Sequence, residues 1–200
     1  MSDDRLFAPA TARNRAAILD VLRAALPPAG LVLEIASGSG EHVVHLAEAL
    51  PGLTFQPSDP NAAARRSVAA WIAASGLVNV ATPVALDAAT TPWPVTSADA
   101  VLCINMIHIA PWSAAEGLIT GAAGILPPDG VLYLYGPYRR GGVHTAPSNE
   151  AFDRDLRGRD PAWGVRDLEA VAALAEATGF AEPAITAMPA NNLSLVFRRR

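Results

Sequence analysis

Apolar residues recur along the chain in two alternating patterns. Short runs that are apolar almost throughout, such as LVLEIA at 31–36 and GVLYLYG at 130–136, have the length and composition of buried β-strands. Longer segments with apolar residues three and four positions apart, such as NRAAILDVLRAAL at 14–26, are typical of amphipathic helices. Strands that are apolar on both faces and alternate with helices predict a mostly parallel, doubly wound α/β sheet.

The predicted elements cover most of the chain, and prolines or glycines separate them. A first helix at 14–26 ends at Pro27 and Pro28. The elements that follow are strands at 31–36, 53–58, 80–86, 99–105 and 130–136, and helices at 41–50, 62–75, 112–126 and 165–179. Two final apolar runs in 183–199 flank PANN and predict an antiparallel hairpin. The 200 residues are expected to form a single domain, 1–200.

The stretch at 137–165 interrupts the alternation of strands and helices. It is polar and contains a pair of glycines and several prolines. We interpret it as an insertion that caps the substrate, with Tyr138, Phe152 and Trp163 as an aromatic lining; ordinary core packing of these rings is the alternative. We expect a small-molecule substrate, because a long polymer would need a more basic surface.

Composition and charge exclude several classes of protein. Hydrophobic residues make up 51% of the chain and charged residues 17%, which favours a folded protein over a disordered one. The formal net charge of −4 disfavours nucleic acid as a partner. No apolar run approaches a membrane span, and the N-terminal stretch 1–15 lacks the hydrophobic core of a secretory signal. We expect a cytoplasmic monomer or homodimer.

Cysteine and histidine content argues against disulfides and metals. Cys103 is the only cysteine, so neither an internal disulfide nor a cysteine-based zinc cluster is expected. It lies in the apolar run DAVLCINMI, which favours a buried, inert thiol. His42 and His45 have the spacing of metal ligands on a helix, but nothing identifies a third ligand. No metal cofactor is expected.

The segment LEIASGSGEH at 33–42 contains the chain's most informative loop. Glycines follow a predicted strand and precede a helix, where parallel sheets bind ligands. Val43 stands where a dinucleotide fingerprint has its third glycine, and no Gly-Lys-Ser/Thr follows as in a P-loop. Glu34 and Glu41 flank the loop, which suits a ligand with a positive centre better than a phosphate. A simple tight turn is the alternative.

Two further acids follow the next predicted strands. Asp59 is placed to accept hydrogen bonds from ribose hydroxyls, and Asp87 is placed to accept one from an adenine amino group. Either residue alone is equally explained as a turn or cap residue. Three acids at three successive strand ends together favour S-adenosylmethionine, which combines ribose, adenine, ammonium and sulfonium groups.

At this point the chain resembles the class I S-adenosylmethionine-dependent methyltransferases, and more narrowly the family of domain of unknown function 938 (DUF938), or methyltransferase-like protein 26. The stretches that carry the resemblance span nearly the whole chain: FAPATARNRAAIL, VLEIASGSGEH, FQPSDP, INMIHIAPW, YGPYRRGG, SNEAFDRDLRGRDPAWGVRDLE and MPANNLSLVFRR. The resemblance implies a Rossmann-like, seven-stranded sheet and S-adenosylmethionine as cofactor, with S-adenosylhomocysteine as product. Ala36 stands where the wider superfamily often has the first loop glycine.

The expected cofactor-binding residues lie at the carboxyl ends of successive strands: Glu34, Ala36, Ser37, Gly38, Gly40, Asp59, Pro60, Asp87, Ala88 and Asn105. The expected substrate residues come from the first helix, the segment after the fourth predicted strand and the insertion: Arg13, Asn14, His108, Tyr138, Arg139, Phe152 and Trp163. Arg13 and Asn14 are interpreted as either a lid or a helix cap. Arg139 is a candidate ligand for a substrate carboxylate or phosphate, or else a solvated charge.

His108 and Tyr138 are the candidate catalytic residues. An imidazole at this place would take a proton from the attacking hydroxyl, thiol or amine, whereas the alternative is a histidine hydrogen-bonded within the first turn after the strand. The predicted function is methyl transfer from S-adenosylmethionine to a small molecule. A non-catalytic module that binds the same cofactor is the alternative, and an NAD-dependent oxidoreductase is disfavoured by Val43 and Glu41.

Overall fold

The computed structural model describes residues 4–200, so residues 1–3 of the N-terminal stretch lie outside the described residues. The strands are β1 (Gly30–Ile35), β2 (Leu53–Pro57), β3 (Ala100–Ile104), β4 (Val131–Gly136), β5 (Tyr138–Arg140), β6 (Val143–His144), β7 (Arg166–Asp167), β8 (Ala184–Met188) and β9 (Asn192–Arg198). The helices are α1 (Pro9–Ala25), α2 (Glu41–Ala49), α3 (Ala62–Ser75), α4 (Trp112–Ile125), α5 (Pro147–Arg159) and α6 (Leu168–Ala177).

The main sheet has the order β2-β1-β3-β4-β9-β8. The first four strands are parallel, and β9 runs antiparallel to both β4 and β8, which confirms the doubly wound α/β fold class and the terminal hairpin. Chain order reverses between β1 and β3, because β2 lies on one side of β1 and β3 on the other. In parallel sheets, ligands bind beyond the carboxyl ends of strands at such a reversal.

Each face of the sheet has its own apolar core. On one face α1, α2 and α3 supply residues such as Ile18, Val43 and Val68, which pack with Val32 and Tyr133. On the other face, residues of α4 and α6 pack against alternate residues of the same strands. Because every central strand is covered on both faces, its side chains must be apolar in both directions, as the sequence pattern requires.

The predicted strand at 80–86 is not a regular strand in the structure. Val80 and Val84 form isolated bridges to Phe55 and Ser58, beside the edge strand β2. Pro83 lies between these bridges and has no backbone N–H, so it interrupts a continuous ladder. The main sheet therefore has six strands, with this segment in contact with its β2 edge, whereas the resemblance implied seven.

Residues 137–165 fold into a small unit at the carboxyl edge of the main sheet. It contains β5, β6 and α5, and β7 completes a three-stranded sheet of order β6-β5-β7. The stretch predicted only as a polar interruption thus contains a 13-residue helix. Within residues 4–200, no helix has both the length and the apolar character required to cross a bilayer.

Candidate functional site

The loop after β1 forms a turn that depends on left-handed backbone conformations. Ala36, Gly38 and Gly40 have φ values of 57°, 56° and 94°. A Cβ atom added at Gly40 would lie 2.8 Å from the Cα of Val68 in α3, so only glycine allows the loop to pack this closely. Ala36 adopts the left-handed conformation despite its side chain, which shows that the surrounding contacts impose the turn.

Contacts with the segment after β2 hold this loop in place. The Ser37 amide donates to the Ser58 carbonyl at 2.8 Å, and the Gly38 amide donates to Asp59 Oδ2 at 3.0 Å. Asp59 Oδ1 accepts from the Asn61 amide at 2.8 Å. Asp59 is buried, and its carboxylate thus joins the carboxyl ends of β1 and β2. A carboxylate offers about four acceptor positions, so further donors can still bind.

Glu34 has a buried carboxylate at the start of the loop. Its Oε2 atom has no hydrogen-bond partner in the described part of the chain. Burial raises the pKa of Glu34 to about 7, hydrogen bonding by Ser37 opposes the rise, and the nearby charge of Asp59 adds to it. An unpaired buried carboxylate oxygen is costly unless a donor reaches it. The Glu34 carboxylate is therefore expected either to accept a hydrogen bond from a ligand or to bind a proton.

Asp87 is exposed, and its Oδ1 accepts from the Ala89 amide at 2.9 Å within its own turn. Asp87 therefore has the capping role that is the alternative to adenine binding. Ala88 is buried, and its carbonyl lies so close to Gly117 of α4 that a Cβ there would collide with it. Pro60 is exposed, and its carbonyl accepts from Arg65. Adenine contacts by the 87–88 segment remain a prediction.

A cleft of about 550 Å³ opens at the carboxyl edge of the sheet. It lies between α1, the ends of β3 and β4, α5 and the turn before β9. Its main polar and aromatic lining residues are Arg13, Asn14, Asn105, Tyr135, Asn149 and Phe152. The structure therefore brings four predicted site residues, Arg13, Asn14, Asn105 and Phe152, to one cavity.

Asn105 lines this cleft and directly follows β3, the strand that pairs with β1 ahead of the glycine loop. The parallel register pairs Ile35 with Cys103, so the chain leaves β1 and β3 at adjacent positions. Asn105 has a left-handed φ of 65°, and its amide donates to the Tyr135 carbonyl at 2.8 Å. This conformation lets the chain turn at the end of β3 and places the Asn105 side chain on the cleft wall.

His108 and Tyr138 lie in the core, which contradicts the predicted access to substrate. Both side chains are fully buried, and their rings meet edge to face with centroids 5.0 Å apart. His108 packs so tightly beneath Gly136 that a Cβ there would lie 2.4 Å from Nε2. Burial, together with the nearby charge of Arg166, lowers the pKa of His108 to about 3. His108 is therefore neutral, and neither residue lines the cleft.

Two other predicted substrate residues also lie outside the cleft. Arg139 forms an ion pair with Asp167 at 3.3 Å across β5 and β7. Trp163 lies beneath the guanidinium of Arg159, with 5.2 Å from the Arg159 Cζ to the ring centroid. Of the three aromatic residues predicted to line the cap, only Phe152 lies on the cleft, because it is on the α5 face toward the end of β4.

Tyr135 and Asn149 line the cleft but are not among the site residues predicted from the sequence. Tyr135 lies in the apolar run GVLYLYG, whose pattern predicts only a buried strand. The position of Tyr135 near the end of this strand could have identified it, because ligands bind beyond the carboxyl ends of parallel strands. Asn149 is in the first turn of α5, a helix that the polar composition of 137–165 did not indicate. Among residues 4–200, no group of three or more histidine, cysteine, aspartate or glutamate side chains is arranged to hold a metal ion.

Comparison with known proteins agrees with this architecture. The structure matches an O-methyltransferase family protein from Burkholderia thailandensis with a TM-score of 0.81 at 20% identity, over 95% of this chain and 57% of that protein. It matches CalO1, a methyltransferase in calicheamicin biosynthesis solved in an SAH-bound form, with a TM-score of 0.72 at 17% identity, over 93% and 54%. The chain thus spans little more than half the length of these proteins.

A shorter protein, YcgJ from Bacillus subtilis, matches with a TM-score of 0.70 at 16% identity, over 93% of this chain and 98% of that one. The protein therefore has a class I methyltransferase-like fold. The family model described as "Protein of unknown function (DUF938)" matches residues 5–199. The chain belongs to this DUF938 family, as its sequence resemblance indicated.

Proposed function

We propose that the protein is an S-adenosylmethionine-dependent methyltransferase that acts on a small molecule. The observation that carries the proposal is the unpartnered, buried Oε2 of Glu34 beside a left-handed glycine turn, at the point where the order of the sheet reverses. The fold shared with methyltransferases supports it. When bound, the cofactor supplies an electrophilic methyl group on a sulfonium.

The residues of the loop fit this cofactor by their chemistry. Glu34 offers an unpaired acceptor for an ammonium group, and Asp59 has spare acceptor capacity for ribose hydroxyls. Ser37, Gly38 and Gly40 shape the turn between these carboxylates, and no basic side chain stands in the loop. Such a loop disfavours a phosphate and therefore a dinucleotide.

The cleft beside the loop supplies the acceptor site of the proposed reaction. Asn105 follows β3, the strand beside β1, and lines the cleft, so we expect the two sites to share a wall. Because His108 is buried and neutral, we assign the chain's contribution to binding and orientation of the acceptor. Positioning alone supplies up to about 7–11 kcal/mol of the barrier in well-oriented reactions.

Titration calorimetry with S-adenosylhomocysteine tests the cofactor site. We expect the wild-type protein to bind it and not NAD, and we expect Asp59→Ala to weaken binding by about 1–3 kcal/mol. Asp20→Asn is the matched control, because Asp20 is an exposed acid on α1 outside the loop. Binding of NAD but not of S-adenosylhomocysteine would contradict the proposal, and unchanged affinity in the Asp59 variant would remove this residue from the site.

Turnover separates an enzyme from a module that only binds the cofactor. Wild-type protein incubated with S-adenosylmethionine and a pool of small metabolites is expected to form S-adenosylhomocysteine above the rate of the protein alone. An Asn105→Ala variant that still binds the cofactor should lose this increase. An absence of turnover with every metabolite fraction, despite cofactor binding, would favour the binding module.

A further inference from the structure

Asn14 and Tyr135 line the cleft, and Asn14 forms a hydrogen bond with His42 of α2. The Nε2 atom of His42 lies 2.8 Å from Oδ1 of Asn14. Because an amide oxygen only accepts, this imidazole nitrogen carries the proton. Asn14 Oδ1 thus accepts from His42, which leaves the Asn14 amide NH₂ as the donor on the cleft wall that it shares with Tyr135.

The Tyr135 hydroxyl is a second donor group on the cleft wall. A phenolic hydroxyl both donates and accepts, so Tyr135 can donate its hydrogen to a ligand in the cleft. Burial raises the pKa of Tyr135, and the nearby Asn14 amide and the charge of Arg13 oppose the rise. The hydroxyl therefore stays protonated near neutral pH and remains a donor.

Arg13 places a positive charge on the same wall. Its guanidinium forms no hydrogen bond or ion pair within residues 4–200, although its charge acts on Tyr135. The residues that line the cleft include no aspartate or glutamate. A cation and a phenolic donor without a local carboxylate favour an anionic group, and a guanidinium presents paired donors that match a carboxylate.

The opposite side of the cleft has acceptors and apolar surface. The Asn149 amide nitrogen donates to Thr145 Oγ1 at 3.0 Å and to the Asn191 carbonyl at 2.9 Å, which leaves its Oδ1 as an acceptor. The rest of the lining is more apolar than polar, and Phe152 and Ile109 are both partly exposed there. Such a wall suits a compact apolar body that carries a hydroxyl or amine donor.

We propose that the cleft binds a small acceptor with a carboxylate and a separate hydroxyl on an apolar body, with Arg13 and Tyr135 as the carboxylate site. This inference rests on the proposed function in one respect, which is that the hydroxyl is the group that accepts the methyl. Recognition of the carboxylate is a property of the cleft and is testable without turnover. Tyr135 acts here as a specificity residue.

The test uses 3-hydroxybenzoate and its neutral counterpart 3-hydroxybenzamide as probes, titrated into the protein with and without saturating S-adenosylhomocysteine. We expect the acid to bind at least about tenfold more tightly than the amide. Arg13→Gln and Tyr135→Phe should each reduce this preference by about threefold to tenfold without a change in S-adenosylhomocysteine affinity. Arg154→Gln is the matched control, since it removes an exposed arginine on α5 that does not line the cleft.

The outcomes separate this inference from the proposed function. Equal affinity for acid and amide, no binding of either at about 10 mM, or an unchanged preference in Arg13→Gln overturns the carboxylate site. A failure to bind S-adenosylhomocysteine contradicts the proposed function instead, and the preference for the acid measured without it still decides the nature of the cleft. Loss of preference in Arg154→Gln as well would show a general charge effect and would also overturn the site.

Discussion

Asn14 of α1 and His42 of α2 form a 2.8 Å hydrogen bond that joins the cleft wall to the helix after the glycine loop. Asn14 is buried, and burial lowers the pKa of His42 to about 4, so the pair is a neutral hydrogen bond within the protein. A change in α2 can therefore reach the cleft wall through this contact.

Replacing Asn14 by alanine should leave the imidazole N–H of His42 without its partner. We expect a loss of about 1–3 kcal/mol in the free energy of unfolding, measured by denaturant titration. Arg15→Gln is the control, because it replaces an exposed side chain at the neighbouring position of α1 and should leave stability near the wild-type value. A variant as stable as the wild type would show that the hydrogen bond is not maintained in solution.

His108 should contribute to the stability of the fold and should not serve as a catalytic base. Because it is fully buried beneath Gly136, His108→Gln is expected to lower the free energy of unfolding by about 1–3 kcal/mol. The acidic limb of the pH–rate profile should persist in the variant. A fall of about 10²–10⁴-fold in the single-turnover rate, with the acidic limb abolished and normal thermal stability, would restore the base that the sequence predicted.

The buried histidines should make the protein less stable in acid. Folded pKa values of about 4 for His42 and about 3 for His108 lie below the unfolded value, so the unfolded state binds two more protons between pH 5 and 6. Glu34, with a folded pKa of about 7, has the opposite effect, because its folded form binds the extra proton. The net result is a loss of about 1.4 kcal/mol for each unit of falling pH.

Substituting Glu34 tests this balance. Glu34→Gln removes the opposing contribution, so the loss of stability between pH 6 and 5 should roughly double, to about 2.7 kcal/mol for each unit. Denaturant titrations at both pH values measure the slope, and Glu48→Gln, an exposed acid on α2, should leave it near the wild-type value. An unchanged slope in Glu34→Gln would show that this carboxyl titrates normally.

Cofactor binding should be coupled to the ionisation of Glu34. A ligand ammonium paired with this carboxylate would lower its pKa, so binding near pH 7 should release a fraction of a proton. Calorimetric titrations of S-adenosylhomocysteine in buffers of different ionisation enthalpy measure this number directly. Affinity should rise with pH through 7, and proton release should vanish in Glu34→Gln. Proton uptake on binding would place the ammonium elsewhere.

Gly40 and Gly158 form a matched pair of glycine substitutions. In Gly40→Ala the new Cβ would lie 2.8 Å from the Cα of Val68 at a φ of 94°, so we expect a loss of several kcal/mol or a displaced loop with weaker cofactor binding. In Gly158→Ala the Cβ meets no atom within 4 Å on helix α5, so the protein should gain about 0.5–1 kcal/mol. Equal effects of the two substitutions, measured by thermal unfolding, would show that the loop is not constrained.

The prediction at 80–86 shows where sequence pattern alone fails. An apolar run of strand length contains Pro83, and the pattern does not reveal that the run lies beside an edge strand, where two isolated bridges replace a ladder. The stretch 137–165 shows the opposite error, because it contains a helix that the sequence pattern did not predict. Its helix α5 has few apolar positions, since it buries only one narrow face that includes Leu156, so periodicity did not identify it.

The alternation of strands and helices, the glycine loop and the acids that follow the strands are all predictable from the sequence, because they depend on local spacing and backbone geometry. Which polar side chains face a common cavity depends instead on how distant segments pack together. Asn105 follows β3 directly and His108 comes three residues later, but the Asn105 side chain lies on the cleft whereas the His108 side chain is buried in the core. Tyr135 reaches the cleft because β4 ends beside α1, a contact between residues more than a hundred positions apart that no local pattern encodes.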